Sequence, residues 1–109
     1  MTINFIKMWK NDRKNIGKQG SEEGTIISDL EHSNGARITI EKDGLTAPFS
    51  VTLGVYGEFM HTDFFSTQSE AESYQTKVMR EIEKLLVILS EEKPDRGAEY
   101  QKIIKNITQ

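Results

Sequence analysis

Between Thr25 and Ser66 apolar and polar residues alternate in four short runs separated by turn-forming residues; from Thr67 onward the apolar spacing changes to threes and fours. The first pattern is that of strands, the second that of a helix. Turn chemistry then predicts register. Asp43-Gly44 suits a two-residue hairpin loop that sets Lys42 opposite Leu45, Ile40 opposite Ala47 and Ile38 opposite Phe49. Gly57-Glu58 suits a second two-residue loop, of type II′, with Val55 opposite Met60 and Val51 opposite Phe64.

The remaining hairpin, at His32-Ser33-Asn34-Gly35-Ala36, is decided by burial. A two-residue Asn34-Gly35 loop would set Glu31 and Asp29 opposite Ile38 and Ile40. That drives carboxylates into the core, at several kcal/mol per uncompensated ion. A three-residue loop, Ser33-Asn34-Gly35 with left-handed Gly35, moves the register by one residue. Leu30 then meets Ile38, and Ile26 is expected to join the apolar face.

Thr67-x-x-Glu70 is a capping box, and Ala71, Tyr74, Val78, Ile82, Leu85 and Leu89 follow as one helical stripe that ends before Pro94. About 25 residues at 1.5 Å each give a helix of roughly 37 Å. Leu85 to Leu89 is apolar on all sides, which requires a second neighbour from one of the termini or from a partner chain. Tyr100, Ile103, Ile104 and Ile107 predict a short C-terminal helix that must dock to be stable. Thr2 to about Lys14 reads as a helix with Phe5, Met8 and Trp9 on one side, although Ile3, Phe5 and Trp9 also fit a strand period.

The expected fold is α+β: a four-stranded antiparallel β-meander with one long C-terminal helix packed across one face, plus weaker N- and C-terminal helices. The expected organisation is one domain, 1–109. It comprises a helical segment 1–16, a polar glycine-rich linker 17–24, the meander 25–66, the long helix 67–92 and the short helix 94–109. The core expected from the register is Leu30, Ile38, Phe49, Val51, Leu53 and Phe64 under Tyr74, Val78, Ile82 and Leu85.

Composition narrows the chemistry. The 109 residues include no cysteine, which removes disulfides, thiolate nucleophiles and zinc–thiolate sites. No run nears the roughly 20 apolar residues of a membrane span, and the start lacks a secretory pattern. A cytoplasmic protein without a membrane partner is expected. Lys7, Lys10, Arg13, Lys14 and Lys18 make the start basic, whereas residues 21–65 are strongly acidic. The acidic sheet would repel phosphates, so the basic arm is expected to face its own sheet and no nucleic acid.

The candidate site lies in Val55 to Phe65. On the expected register, Met60, Thr62 and Phe64 face the helix, while Tyr56, Phe59, His61, Asp63 and Phe65 face outward. His61 and Asp63, about 6.7 Å apart at Cα on one strand, suit an oriented imidazole or two metal ligands, with Thr52 opposite as a conceivable nucleophile. A metal needs a third ligand, and none is near. His32, at a strand end, reads as structural. Glu31 falls opposite Arg37 as a cross-strand ion pair. Phosphate-cradling glycine loops, G-x-S-x-G and H-E-x-x-H are all missing, and no cofactor is expected. Aromatic residues rimmed by charge on an outward face mark a contact surface. The expectation is therefore a non-enzymatic protein–protein interaction module, self-associating as a dimer or meeting another protein. The alternative is a small ligand-binding protein or minor enzyme using His61, Asp63 and Tyr56.

Overall fold

The computed structural model describes residues 8–90 and 96–109. Five antiparallel strands lie side by side in chain order: β1 (Trp9–Asn11), β2 (Thr25–His32), β3 (Ala36–Lys42), β4 (Phe49–Val55) and β5 (Phe59–Phe65). Helices α1 (Gln68–Ser90) and α2 (Arg96–Thr108) follow. The α+β class, the antiparallel sheet and the long helix agree with the sequence pattern. The strand count is five rather than four.

The extra strand takes the place of the Trp9–Asn11 part of the expected N-terminal helix. Trp9 pairs with His32 and Asn11 with Leu30, and the Ser33 N–H donates to the Met8 carbonyl at 3.1 Å. A short helix gains little without docking, whereas strand pairing satisfies the otherwise open edge of β2 and buries Trp9. After β1 a 3₁₀ turn, Arg13–Asn15, follows. The part of the expected helix before Met8 lies outside the described residues.

The Ser33-Asn34-Gly35 loop is as expected: His32 faces Ala36, Leu30 faces Ile38, and Gly35 takes φ 101°. A bulge between Ile26 and Ser28 then turns Ile26 to the other face, opposite Glu41, and Ile27 packs against the core instead. The β3–β4 loop is longer than a two-residue Asp43-Gly44 turn. Lys42 pairs with Phe49, Ile40 with Val51 and Ile38 with Leu53. Pro48 has no N–H to give a ladder, and its carbonyl closes the loop by accepting from Asp43 N–H at 2.8 Å. The shift is four residues, an even number, so every side chain keeps its expected face.

The β4–β5 hairpin differs by one residue, and this reverses a strand. Val55 pairs with Phe59, Leu53 with His61 and Val51 with Asp63 around a three-residue loop with Gly57 at φ 80°. Phe59, His61, Asp63 and Phe65 therefore face the helices, not the outside, and Met60, Thr62 and Phe64 face outward. Phe64 leaves the expected core, and Phe49 and Leu30 are only partly buried against it.

Thr67 caps α1: its hydroxyl accepts from the Glu70 N–H at 3.2 Å and donates to the Glu70 carboxylate at 3.0 Å. Ala71, Tyr74, Val78, Ile82, Leu85 and Ile88 are the buried stripe, set on Ile38, Val51 and Leu53. The second neighbour of the apolar end of α1 is α2, through Ile103 and Ile107, and the Tyr74 hydroxyl donates to the Ile107 carbonyl at 2.7 Å. Both helices share one core with the inner sheet face. No described helix is long and apolar enough to cross a membrane.

Candidate interaction surface

The outer sheet face has two differently built ends. Over β2 and β3 the segment from Asp12 to Gly24 folds down onto the sheet. Glu41, 1% exposed, accepts from the backbone N–H of Glu22 at 3.1 Å and of Gly24 at 3.0 Å. A Cβ on Gly20 would stand 2.3 Å from the Glu41 carboxyl carbon, so any larger residue there would push the buried carboxylate out of place. Asp29, 2% exposed, accepts from Asn15 Nδ2 at 2.8 Å and Thr39 Oγ1 at 3.0 Å, with Arg37 Nε 3.5 Å away. Arg37 also reaches Asp12 at 3.4 Å and its expected partner Glu31 at 3.1 Å. Both buried carboxylates thus have the donors that make burial tolerable.

Over β5 and the hairpin half of β4 the face is open among the described residues, whereas Ser50, opposite Glu41 on β4, is buried. Met60 is 77% exposed and Phe64 41%, and the Tyr56 ring stands at the hairpin end of the same face. The Tyr56 hydroxyl donates to Glu31 at 3.2 Å and so links the two ends. Partial burial raises its pKa above the ordinary value; Arg37 works against this, while the bond to Glu31 adds to it. Thr52 and Thr62 hydroxyls lie 3.0 Å apart across the β4–β5 pair. Between the ends runs a groove of about 760 Å³, lined by Asn15, Arg37, Thr39, Thr52, Tyr56 and Met60 among others.

The five residues expected as one outward patch are therefore divided by the sheet. Tyr56 alone is outside. His61 and Asp63 are half-buried under the helices, with Nε2 and Oδ2 3.1 Å apart. Phe65 meets the Tyr74 ring at 5.1 Å, and Phe59 packs on the core. Burial pushes the Tyr74 phenol far above its usual range, and the charge of Asp63 adds to the effect. Thr52 and Tyr56 stand across the sheet from the His61–Asp63 pair, so these groups do not share a reaction volume. Among the described residues no three His, Cys, Asp or Glu side chains are placed to hold one metal ion.

His32 is a structural residue, as its position implies. It is buried in a T-shaped contact with the Trp9 ring, with centroids 4.9 Å apart. Its Nδ1 accepts from the Asn34 N–H at 2.9 Å, and Nε2 contacts the Glu83 carboxylate. With Nδ1 accepting, the ring donates through Nε2 and ties β2 to α1.

Pattern reasoning missed Asp29 and Glu41 as buried groups and Met60 and Phe64 as exposed ones. The signal for the first pair was the spacing of Gly20 and Gly24 in what reads as a linker. For the second pair, no local signal exists, because β5 is aromatic on both faces. No protein-family model, curated protein or solved structure matches this chain.

Proposed function

We propose that this protein is a non-enzymatic interaction module that self-associates through the β4–β5 end of its outer sheet face. The observation that carries the reading is a patch of large apolar side chains, Tyr56, Met60 and Phe64, on a face with no helix over it among the described residues. Such a patch beside polar and charged groups is characteristic of contact surfaces. In a twofold pair, Met60 and Phe64 of both copies would leave water, at about 1.5–3 kcal/mol for each side chain fully buried. Rigid-body association costs about 4–15 kcal/mol. The two are of similar size, so apolar burial needs a second source of affinity.

Light scattering tests the reading. The wild-type chain should show twice its 12.4 kDa mass at high micromolar concentration, and Met60→Glu with Phe64→Glu should return it to the single-chain mass. A wild-type chain that stays at the single mass removes self-association.

The groove favours one second reading, a small ligand held between Arg37, Thr52 and Tyr56. A thermal-shift screen of small molecules checks it: a stabilising compound whose effect disappears in Tyr56→Ala would support a ligand site. The catalytic form of this reading, with His61, Asp63 and Tyr56 acting together, has lost its geometric support.

A further inference from the structure

We infer that two copies of the chain join edge to edge through β5, in an antiparallel pair centred on Thr62, to make one continuous ten-stranded sheet. The inference rests on the self-association proposed above and names its geometry and its partner, a second copy.

The two edges of the sheet differ. β1 is three residues long and carries Lys10, two of the devices that keep an edge from pairing. β5 is seven residues long, pairs only with β4 among the described residues, and contains neither lysine nor proline. Hydrogen bonding alternates along an antiparallel strand, so every second residue of β5 turns its N–H and C=O away from β4. Those groups are a ready template for another strand.

The sequence of β5 says which strand fits. Phe59-Met60-His61-Thr62-Asp63-Phe64-Phe65 is self-complementary about its centre. A twofold axis through Thr62, perpendicular to the sheet, sets Phe59 opposite Phe65 of the second copy, Met60 opposite Phe64, and His61 opposite Asp63. Each of these pairs occurs twice. On the outer face the exposed Met60 and Phe64 side chains cover one another. On the helix side each imidazole faces a carboxylate of the other copy as well as its own Asp63, 3.1 Å away.

Neighbouring registers fail. A twofold antiparallel pair keeps both helix layers on one side of the sheet, so opposed residues must have the same parity and the register moves only in steps of two. Centring on His61 sets Phe59 against Asp63 and Met60 against Thr62. Centring on Asp63 sets carboxylate against carboxylate, which is unfavourable for residues directly opposite. Thr62 is the one centre that matches aromatic to aromatic and imidazole to carboxylate.

The chain has no cysteine, so single introduced thiols report the register without background. Opposed residues in an antiparallel pair have Cα atoms about 4.5–5.5 Å apart, inside the about 4.4–6.8 Å that a disulfide spans. Thr62→Cys should therefore convert almost wholly to a covalent dimer under mild oxidant. Met60→Cys alone and Phe64→Cys alone should remain single chains, because each lies four residues from its own copy, about 13 Å along the strand. An equal mixture of those two variants should cross-link to each other. This mixture also decides the matter if Thr62→Cys fails to fold. A wild-type dimer whose Thr62→Cys form folds but does not cross-link would overturn the edge pairing and leave self-association standing. Self-cross-linking of Met60→Cys would overturn the register. A wild type of single-chain mass would overturn both.

Discussion

At the β2–β3 end of the outer face two carboxylates, Asp29 and Glu41, are almost wholly buried; at the β4–β5 end of the same face Met60 and Phe64 stand in water. An exposed sheet face ordinarily shows polar side chains to water; here the polar end is covered and the apolar end is open. The difference lies in what covers them. The Asp12 to Gly24 segment brings the Asn15 amide and two backbone N–H donors to the two acids, and Thr39 on β3 adds a hydroxyl, so removal from water is compensated by specific bonds. At the other end the Met60 and Phe64 side chains have no such cover among the described residues. The buried charges are satisfied within the chain, whereas exposed apolar surface is where a contact remains to be made.

The largest way to break this comparison is Glu41→Ala. It leaves the N–H groups of Glu22 and Gly24 without their acceptor, at about 1–3 kcal/mol per buried unpaired group. Urea unfolding should show a loss of about 3 kcal/mol. A change below about 0.5 kcal/mol, the usual surface value, would mean that the turn does not close over the acid.

The same small substitution at the two ends sharpens the contrast. Gly20→Ala forces a Cβ to within 2.3 Å of the Glu41 carboxyl carbon, and overpacking of this kind costs about 1–3 kcal/mol. Gly54→Ala, at the other end, places its Cβ at an ordinary 3.5 Å from Met60 Cγ. Its effect should stay within about 0.5 kcal/mol. Equal effects at the two positions would abolish the distinction between a packed end and an open one.

The smallest expected effect is alkaline. Tyr56, Tyr74 and Tyr100 all have raised pKa values, with burial the leading cause in each. Unfolded tyrosine titrates near about 10. Above that pH the unfolded chain loses protons that the folded chain keeps, so stability is complete below about pH 10 and declines as pH rises toward the folded values. Absorbance titration of tyrosinate should therefore give a midpoint above about 10 in buffer that falls in denaturant. Tyr74→Phe should flatten the alkaline decline more than Tyr56→Phe, because Tyr74 is the more buried phenol and the most strongly shifted. A titration unchanged by denaturant would count against this environment for Tyr74.

The two tight hairpins explain why one part of the candidate site was legible and the other was not. At Ser33-Asn34-Gly35 the wrong loop length would bury Asp29 and Glu31 in the apolar core, and that cost alone selects the register. At Tyr56-Gly57-Glu58 both registers bury two large apolar residues of β5, Met60 with Phe64 or Phe59 with Phe65. Gly57 accommodates positive φ in either turn, so neither burial nor turn chemistry separates them. The Thr67–Glu70 cap and the α1 stripe were legible for the same reason as the first hairpin: only one assignment puts Ala71, Tyr74, Val78, Ile82 and Leu85 on a single side.

Local period and the avoidance of buried, unpaired charge determined the four long strands, both helices and the inner face of β3 and β4. These depend on residues within a few positions of one another and on a penalty large enough to exclude the alternatives. Three features were settled only by the folded chain: the side that β5 presents, the strand made by Trp9–Asn11, and the fold of the glycine-rich segment over Glu41. Each depends on a distant partner. Tyr74 receives Phe65, the edge of β2 receives Trp9, and the carboxylate of Glu41 gathers N–H groups nearly twenty residues away in sequence. The free-energy differences among the local alternatives are small, and such long-range contacts are what resolve them.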